Sequence, residues 1–260
     1  MYRHLLACLP IAVTALALLA CGTQVYAQSM SVASSPVPPA PENWQSLAGS
    51  ERLSNLLERR TPDVSATLQL HGFEPGNPVF LRIIKESHEL ELWLQAKDSK
   101  SFRLFKTYPI ARWSGALGPK EKEGDRQAPE GFYSVDARRM NPQSRYHLSF
   151  NIGYPNAYDL AHKRTGALLM VHGKDVSIGC YAMTDPAIEE IYLIVHTALA
   201  AGQPAIAVHC YPFRMSDERL AQASGPWLDF WRNLKQGWDR FEQTHQPPRW
   251  SVKGGRYVFP

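Results

Sequence analysis

A chain of 260 residues with 44% apolar side chains can bury a sizeable core, in one large domain or two small ones. Its 28 basic and 24 acidic residues nearly balance, for a formal charge of +4. No clustered basic stripe runs along it, so no nucleic-acid partner is expected.

The N-terminus reads MYRHLLACLPIAVTALALLACGTQVYAQS. Arg3 and His4 precede an uncharged run from Leu5 to Ala20, interrupted by Pro10 and shorter than the ~20 apolar residues of a membrane span. This is the pattern of a secretory signal peptide, which places the protein in the periplasm or elsewhere in the cell envelope. Two processing readings are open. Val25-Tyr26-Ala27 resembles an ordinary cleavage site, giving a signal peptide of residues 1–27, and Leu18-Leu19-Ala20-Cys21 resembles a lipobox, giving 1–20 and a membrane tether through a lipid on Cys21. Either removes Cys8 and leaves Cys180 and Cys210 in the folded region, where an oxidising compartment would permit a disulfide between them.

A Ser/Pro-rich linker follows at 28–41, then an N-terminal extension at 42–77. In the extension Leu53, Leu56 and Leu57 recur at helical spacing, and Pro62 is expected to end the run. Period-two patterns at VFLRIIK, ELELWLQ and SFRLFKTYPIAR predict an antiparallel meander. The polar loop GALGPKEKEGDRQAPEGF leads to strands at FYSV, YHLSFNI and LLMVHG. TDPAIEEIYLIVHTALAAG predicts a helix capped by Thr184 or Asp185, with Ile188, Ile191, Tyr192 and Val195 as its buried stripe. A strand at AIAVHCY, with Ile206, Val208 and Cys210 on one face, a helix across WLDFWRNLKQGWDRFEQ and a hairpin at WSVKGGRYVF complete the chain, and no internal repeat is present. The fold class expected is mainly β with flanking helices, that is α+β.

The chemistry concentrates in VHGKDVSIGC, residues 171–180. A cysteine attacks as thiolate, and an imidazole or backbone dipoles must lower its pKa from about 8.5. His172 at a strand end and Cys180 across a tight connection supply that pair, while Gly173 and Gly179 let backbone approach a reacting carbonyl. Taken singly, either residue reads more simply as packing. A cation held by His172, Asp175 and Cys180 is a weaker reading, because no CxxC or HExxH accompanies them; no metal or cofactor is expected.

The ordered motifs GALGPK, GDRQAPEGFYSV, NIGYPNAYD, VHG, SIGCYAMT and YPFRM resemble the L,D-transpeptidase (YkuD) family, most closely its YafK-like branch. The resemblance implies a catalytic domain over residues 78–212, followed by a C-terminal helix and hairpin over 213–260. It implies a cysteine that attacks the carbonyl beside diaminopimelate in peptidoglycan stem peptides, forming a thioester that passes to an amine or to water. Carried over by position, Cys180 is the nucleophile and His172 its base. The carbonyl of Gly173 orients the imidazole, and the amides of Gly179 and Cys180 form the oxyanion hole. Ser177, Arg145, Tyr146, Asn156 and Tyr158 are candidates to shape the cleft, Arg145 toward a carboxylate. The YafK-like branch further implies hydrolysis of the link between peptidoglycan and an outer-membrane lipoprotein. Ile178 and Ala182 depart from the family, which carries a histidine in S-H-G-C and an Arg or Asn two positions after the cysteine. These departures leave open a noncatalytic wall-binding module with the same fold.

Overall fold

Strand β1 (Val79–Ile84) is buried along its whole length, and it sits at the centre of a five-stranded sheet. On one side it pairs antiparallel with β2 (Glu89–Gln95), which pairs with β3 (Phe102–Pro109), so the expected meander is present. On the other side it pairs in parallel with β9 (Ile206–Tyr211), itself antiparallel to β4 (Gly131–Val135). This computed structural model describes residues 50–95 and 99–260. The signal peptide at 1–27, or at 1–20 with lipidation at Cys21, the linker at 28–41 and the first residues of the 42–77 extension lie outside the described residues. No helix among the described residues is long and apolar enough to cross a membrane.

Both faces of the central sheet are covered, which is why β1 reads as an almost continuous apolar run rather than a clean alternation. Val79, Leu81 and Ile83 face a core shared with helix α1 (Glu51–Leu70) and helix α3 (Asp185–Ala200). Ile206, Val208 and Cys210 of β9 enter the same core, as their spacing predicts, and Cys210 is fully buried. Phe80 and Ile84 face the other way, toward helix α5 (Leu228–Thr244) and the hairpin of β10 (Ser251–Lys253) and β11 (Arg256–Val258). Arg82 lies on that face too. It is held by Glu91 at 2.6 Å and Glu242 at 2.5 Å, beneath the Trp238 ring at 3.9 Å, so its buried charge is paired and stacked.

A second sheet carries β5 (Met140–Asn141), β6 (Ser149–Asn151), β7 (Met170–His172) and β8 (Tyr181–Ala182), in that order. Strands β6 and β7 are shorter than the expected YHLSFNI and LLMVHG, because His147 and Leu168 take positive φ (69° and 58°) and break extended geometry just before them. Two five-residue helices, α2 (Ala157–Ala161) and α4 (Asp217–Ala221), complete an α+β fold.

The expected stop at Pro62 is corrected. Helix α1 starts at a Ser50 cap, whose Oγ accepts the Leu53 N–H, and runs through Pro62 to Leu70. Pro62 faces solvent, and the apolar stripe of Leu53 and Leu56 continues as buried Val64 and Leu68. Burying those two side chains, at about 1.5–3 kcal/mol each, offsets the ~3 kcal/mol that an interior proline costs. Helix α3 buries Ile188, Ile191, Tyr192 and Val195 completely, as its periodicity predicts. Neither Thr184 nor Asp185 caps it through a side chain, because Asp185 is engaged elsewhere.

Candidate active site

His172 ends β7, 2% exposed, and the following residues are pinned from three directions. The Gly173 N–H donates to the carbonyls of Tyr146 (3.0 Å) and Leu148 (3.1 Å). The Met183 N–H donates to His172 O, the Thr184 N–H to Lys174 O, and Asp185 Oδ1 accepts the Lys174 N–H at 2.8 Å. A Cβ at residue 173 would stand 2.5 Å from Asp185 Oδ1 and 2.8 Å from Tyr146 O. Only glycine fits that junction.

The imidazole Nδ1 lies 2.5 Å from the Gly173 carbonyl. A carbonyl only accepts, so Nδ1 carries the proton and Nε2 of the neutral ring keeps its lone pair, the form a general base requires. Tyr146 covers the ring, with centroids 4.7 Å apart at 39°. Burial pushes the His172 pKa below its ordinary value, opposed by the Gly173 carbonyl, and the resting ring is neutral at pH 7.

Cys180 stands at the other end of the 173–180 loop, half-buried. The Met170 N–H points at its Sγ from 3.4 Å, and Leu168 O lies 3.9 Å from it. Burial pushes the thiol pKa up, while the Met170 N–H and the charge of Lys120 act to lower it. Ser177 organises the turn. Its Oγ donates to Cys180 O at 2.7 Å, accepts the Gly179 N–H at 3.2 Å and lies 3.4 Å from Ser114 Oγ. Gly179 has φ +138°, a conformation L side chains rarely adopt. Arg112 clasps the loop from outside, pairing its backbone with Ala182 and donating from Nε to Asp175 O at 3.0 Å.

His172, Cys180, Ser177 and Gly179 line one cleft of about 840 Å³. Arg145 and Tyr146 line it as well, together with the cations Lys120 and Arg126. Its rim is apolar: Leu168, Val176 and Ile178 are 58%, 51% and 77% exposed there. Lys120, Arg126 and Leu168 were not singled out by sequence reasoning, because isolated residues in polar or irregular segments carry no periodicity; GALGPK marked Lys120 only as part of a motif.

Asn156 and Tyr158, expected in the cleft, are corrected. Asn156 caps α2, accepting the Asp159 N–H, and its amide donates to Phe132 O and Tyr257 Oη at 2.8 Å each. Tyr158 is buried between His162 and Tyr257, with ring centroids 4.2 and 4.6 Å away. Both residues tie the C-terminal hairpin to the domain. The Gly179 amide, expected in an oxyanion hole, is already engaged by Ser177, whereas no hydrogen bond from the Cys180 N–H is formed among the described residues. Cys180 and Cys210 are free thiols, not a disulfide. No group of three or more His, Cys, Asp or Glu side chains converges as a metal site among the described residues, so His172, Asp175 and Cys180 do not form a ligand set.

Residues 88–204 match the profile of the L,D-transpeptidase catalytic domain, YkuD. YafK of Escherichia coli (strain K12), assigned to the L,D-transpeptidases, is 49% identical over 184 residues, covering 70% of this chain and 74% of YafK. The chain belongs to the L,D-transpeptidase (YkuD) family. YafK of Escherichia coli O157:H7 matches at the same identity and coverage. Among solved structures, the helical cell shape determining protein Pgp2 from Campylobacter jejuni aligns with TM-score 0.42 at 20% identity, over 67% of this chain and 64% of Pgp2. Bd1075 of Bdellovibrio bacteriovorus aligns with TM-score 0.35 at 15% identity, over 64% of this chain and 56% of its own. This L,D-transpeptidase-family chain therefore spans less than two thirds of either solved chain.

Proposed function

We propose that the protein is a cysteine acyl-transfer enzyme of the cell envelope that acts at diaminopimelate in peptidoglycan stem peptides. The observation that carries this reading is the placement of Cys180 and His172 on the wall of one cleft, with Nε2 of the imidazole left unprotonated. In the first step Nε2 takes the thiol proton as Sγ bonds to the carbonyl carbon, and the carbonyl oxygen becomes an oxyanion beside the Cys180 N–H. Collapse of that adduct breaks the C–N bond, and the imidazolium returns its proton to the leaving amine. The product is a thioester on Cys180. Water or a second amine then attacks it with His172 again as base, giving hydrolysis or transpeptidation and restoring the thiol.

The cleft suits such a substrate in charge. Arg126 and Arg145 face it against Glu123, while Lys120 is paired with Asp125, so an acyl donor bearing a free carboxylate meets two exposed guanidinium groups. We favour hydrolysis of the link between peptidoglycan and an attached outer-membrane lipoprotein, in keeping with the YafK-like resemblance. Export would precede it, through the signal peptide at 1–27 or through lipidation at Cys21.

The test is mass spectrometry of muropeptides, with and without lipoprotein remnants, after incubation with wild type and with Cys180→Ala. Loss of the remnant with addition of one water, dependent on Cys180, supports the hydrolase. New diaminopimelate cross-links or exchanged terminal residues support a transpeptidase. Unchanged masses in both proteins, with muropeptides still bound, favour the noncatalytic wall-binding module, for which Ile178 and Ala182 argue.

A further inference from the structure

Lys120 is 5% exposed yet lines the same cleft as Cys180. Its ammonium donates to Asp125 Oδ1 at 2.5 Å and to Lys122 O at 2.8 Å, and its backbone carbonyl accepts the Tyr154 hydroxyl. An ammonium has three N–H donors, so this pairing uses two. Asp125 is itself held by the backbone N–H groups of Glu121, Lys122 and Gln127. The stem of Lys120 packs over Gly166, where a Cβ would come within 3.0 Å of Lys120 Cε. Gly166 opens the segment whose Leu168 carbonyl and Met170 N–H contact the Cys180 sulfur. A hydrogen-bonded polar loop therefore places a buried cation against the segment that contacts the Cys180 sulfur.

We propose that Lys120 is a positioning residue that stabilises the thiolate of Cys180 electrostatically, working with His172 in the same cleft. Burial disfavours charge on both Cys180 and His172, so forming a thiolate–imidazolium pair is costly, and a fixed cation nearby lowers that cost. The charged and titratable groups around Cys180 are His172 on β7, Lys120, Glu123, Asp125 and Arg126 on the 116–130 loop, Arg145 before β6, Lys174 and Asp175 in its own loop, and Tyr181 beside it. Of these only Lys120 is a cation both buried and anchored against the segment that contacts Sγ. The inference rests on Cys180 being the nucleophile.

The test is the pH dependence of Cys180 alkylation by iodoacetamide in the full chain, located to Cys180 rather than Cys210 by fragment-ion mass spectrometry. Lys120→Gln is expected to raise the alkylation midpoint by about one pH unit, whereas Lys120→Arg stays within about 0.3 unit of wild type. Asp125→Asn removes the counter-ion and is expected to lower the midpoint, which keeps the proposal testable should Lys120→Gln lose its circular dichroism spectrum. A midpoint unmoved in whichever of these two variants keeps the fold overturns the role of Lys120. That result is independent of muropeptide turnover: Cys180-independent processing would defeat the proposed function while leaving this titration to stand or fall alone.

Discussion

Replacing His209 by phenylalanine should make the protein more resistant to acid. The His209 ring is fully buried between Phe80 and Phe132, with centroids 4.8 and 4.5 Å away, and neither ring nitrogen has a hydrogen-bond partner. Burial, with a lesser push from the Arg82 guanidinium, drives its pKa from 6.5 down to about 3. Protonation therefore favours the unfolded chain. The neutral ring's contribution is fully present above pH 6.5 and is lost as pH falls from 6.5 toward 3. At about 1.36 kcal/mol per pH unit, wild type loses about 2 kcal/mol at this site between pH 7.5 and pH 5, and the variant loses none. For a domain of this size that corresponds to about 4–8 °C in Tm. The assay is thermal melting of both proteins at pH 7.5, 6 and 5, read as the Tm difference between them. A steric penalty from the larger ring shifts that difference equally at every pH, so its pH dependence isolates the titration. A difference that stays flat to pH 5 would refute the reasoning.

Lys85→Met should strip the fully buried Glu130 of its cation; Lys85 also donates to the carbonyls of Ala116, Gly118 and Ala128, and the expected loss is about 3–5 kcal/mol by denaturant titration, partly recovered in Lys85→Met/Glu130→Gln. Gly179→Ala, at φ +138°, should cut Cys180-dependent muropeptide turnover by about tenfold or more and lower Tm by a few degrees through the ~1–3 kcal/mol of strain it introduces, and wild-type turnover would discount the strained turn. Pro62→Ala restores an N–H to the middle of α1 and should stabilise the protein by about 1–3 kcal/mol; a lower Tm would mean the ring packs in a way its exposure denies.

The elements legible in the sequence are those whose burial is periodic or continuous. Strand β3, helices α3 and α5 and the closing hairpin were readable because each turns one face to a core, and β1 and β9 were readable as apolar runs buried on both faces. Strands β5 and β8 were not, since two residues hold no period and exist only through partners remote in sequence, Phe150 for Met140 and Val171 for Tyr181. Helix α1 was half-read because proline is a strong local stop, overridden here by Val64 and Leu68. Within the candidate site, His172 and Cys180 stood out through the glycines beside them. Asn156 and Tyr158 misled because Asn-x-x-Asp serves equally as a capping box, and that is its use in α2. Lys120 was hidden because a single lysine in a charged loop reads as solvated, and only the tertiary fold buries it against Asp125.

The five-stranded sheet bears on where the protein can be cut. The family match spans 88–204, yet β1 ends at Ile84 and β9 begins at Ile206, so the two strands paired at the sheet's centre both fall outside it. A recombinant fragment trimmed to the matched segment would keep β2 and β3 without the strand that joins them to the rest, exposing two unpaired edges and the Ile188–Val195 face of α3. Such a fragment should aggregate, whereas one spanning Ser50 to Pro260 retains both strands, the α1 cap and the hairpin whose Tyr257 locks onto Asn156. In this chain strand pairing alone extends the sheet-forming segment from Val79 to Tyr211, past both ends of the stretch by which the family is recognised.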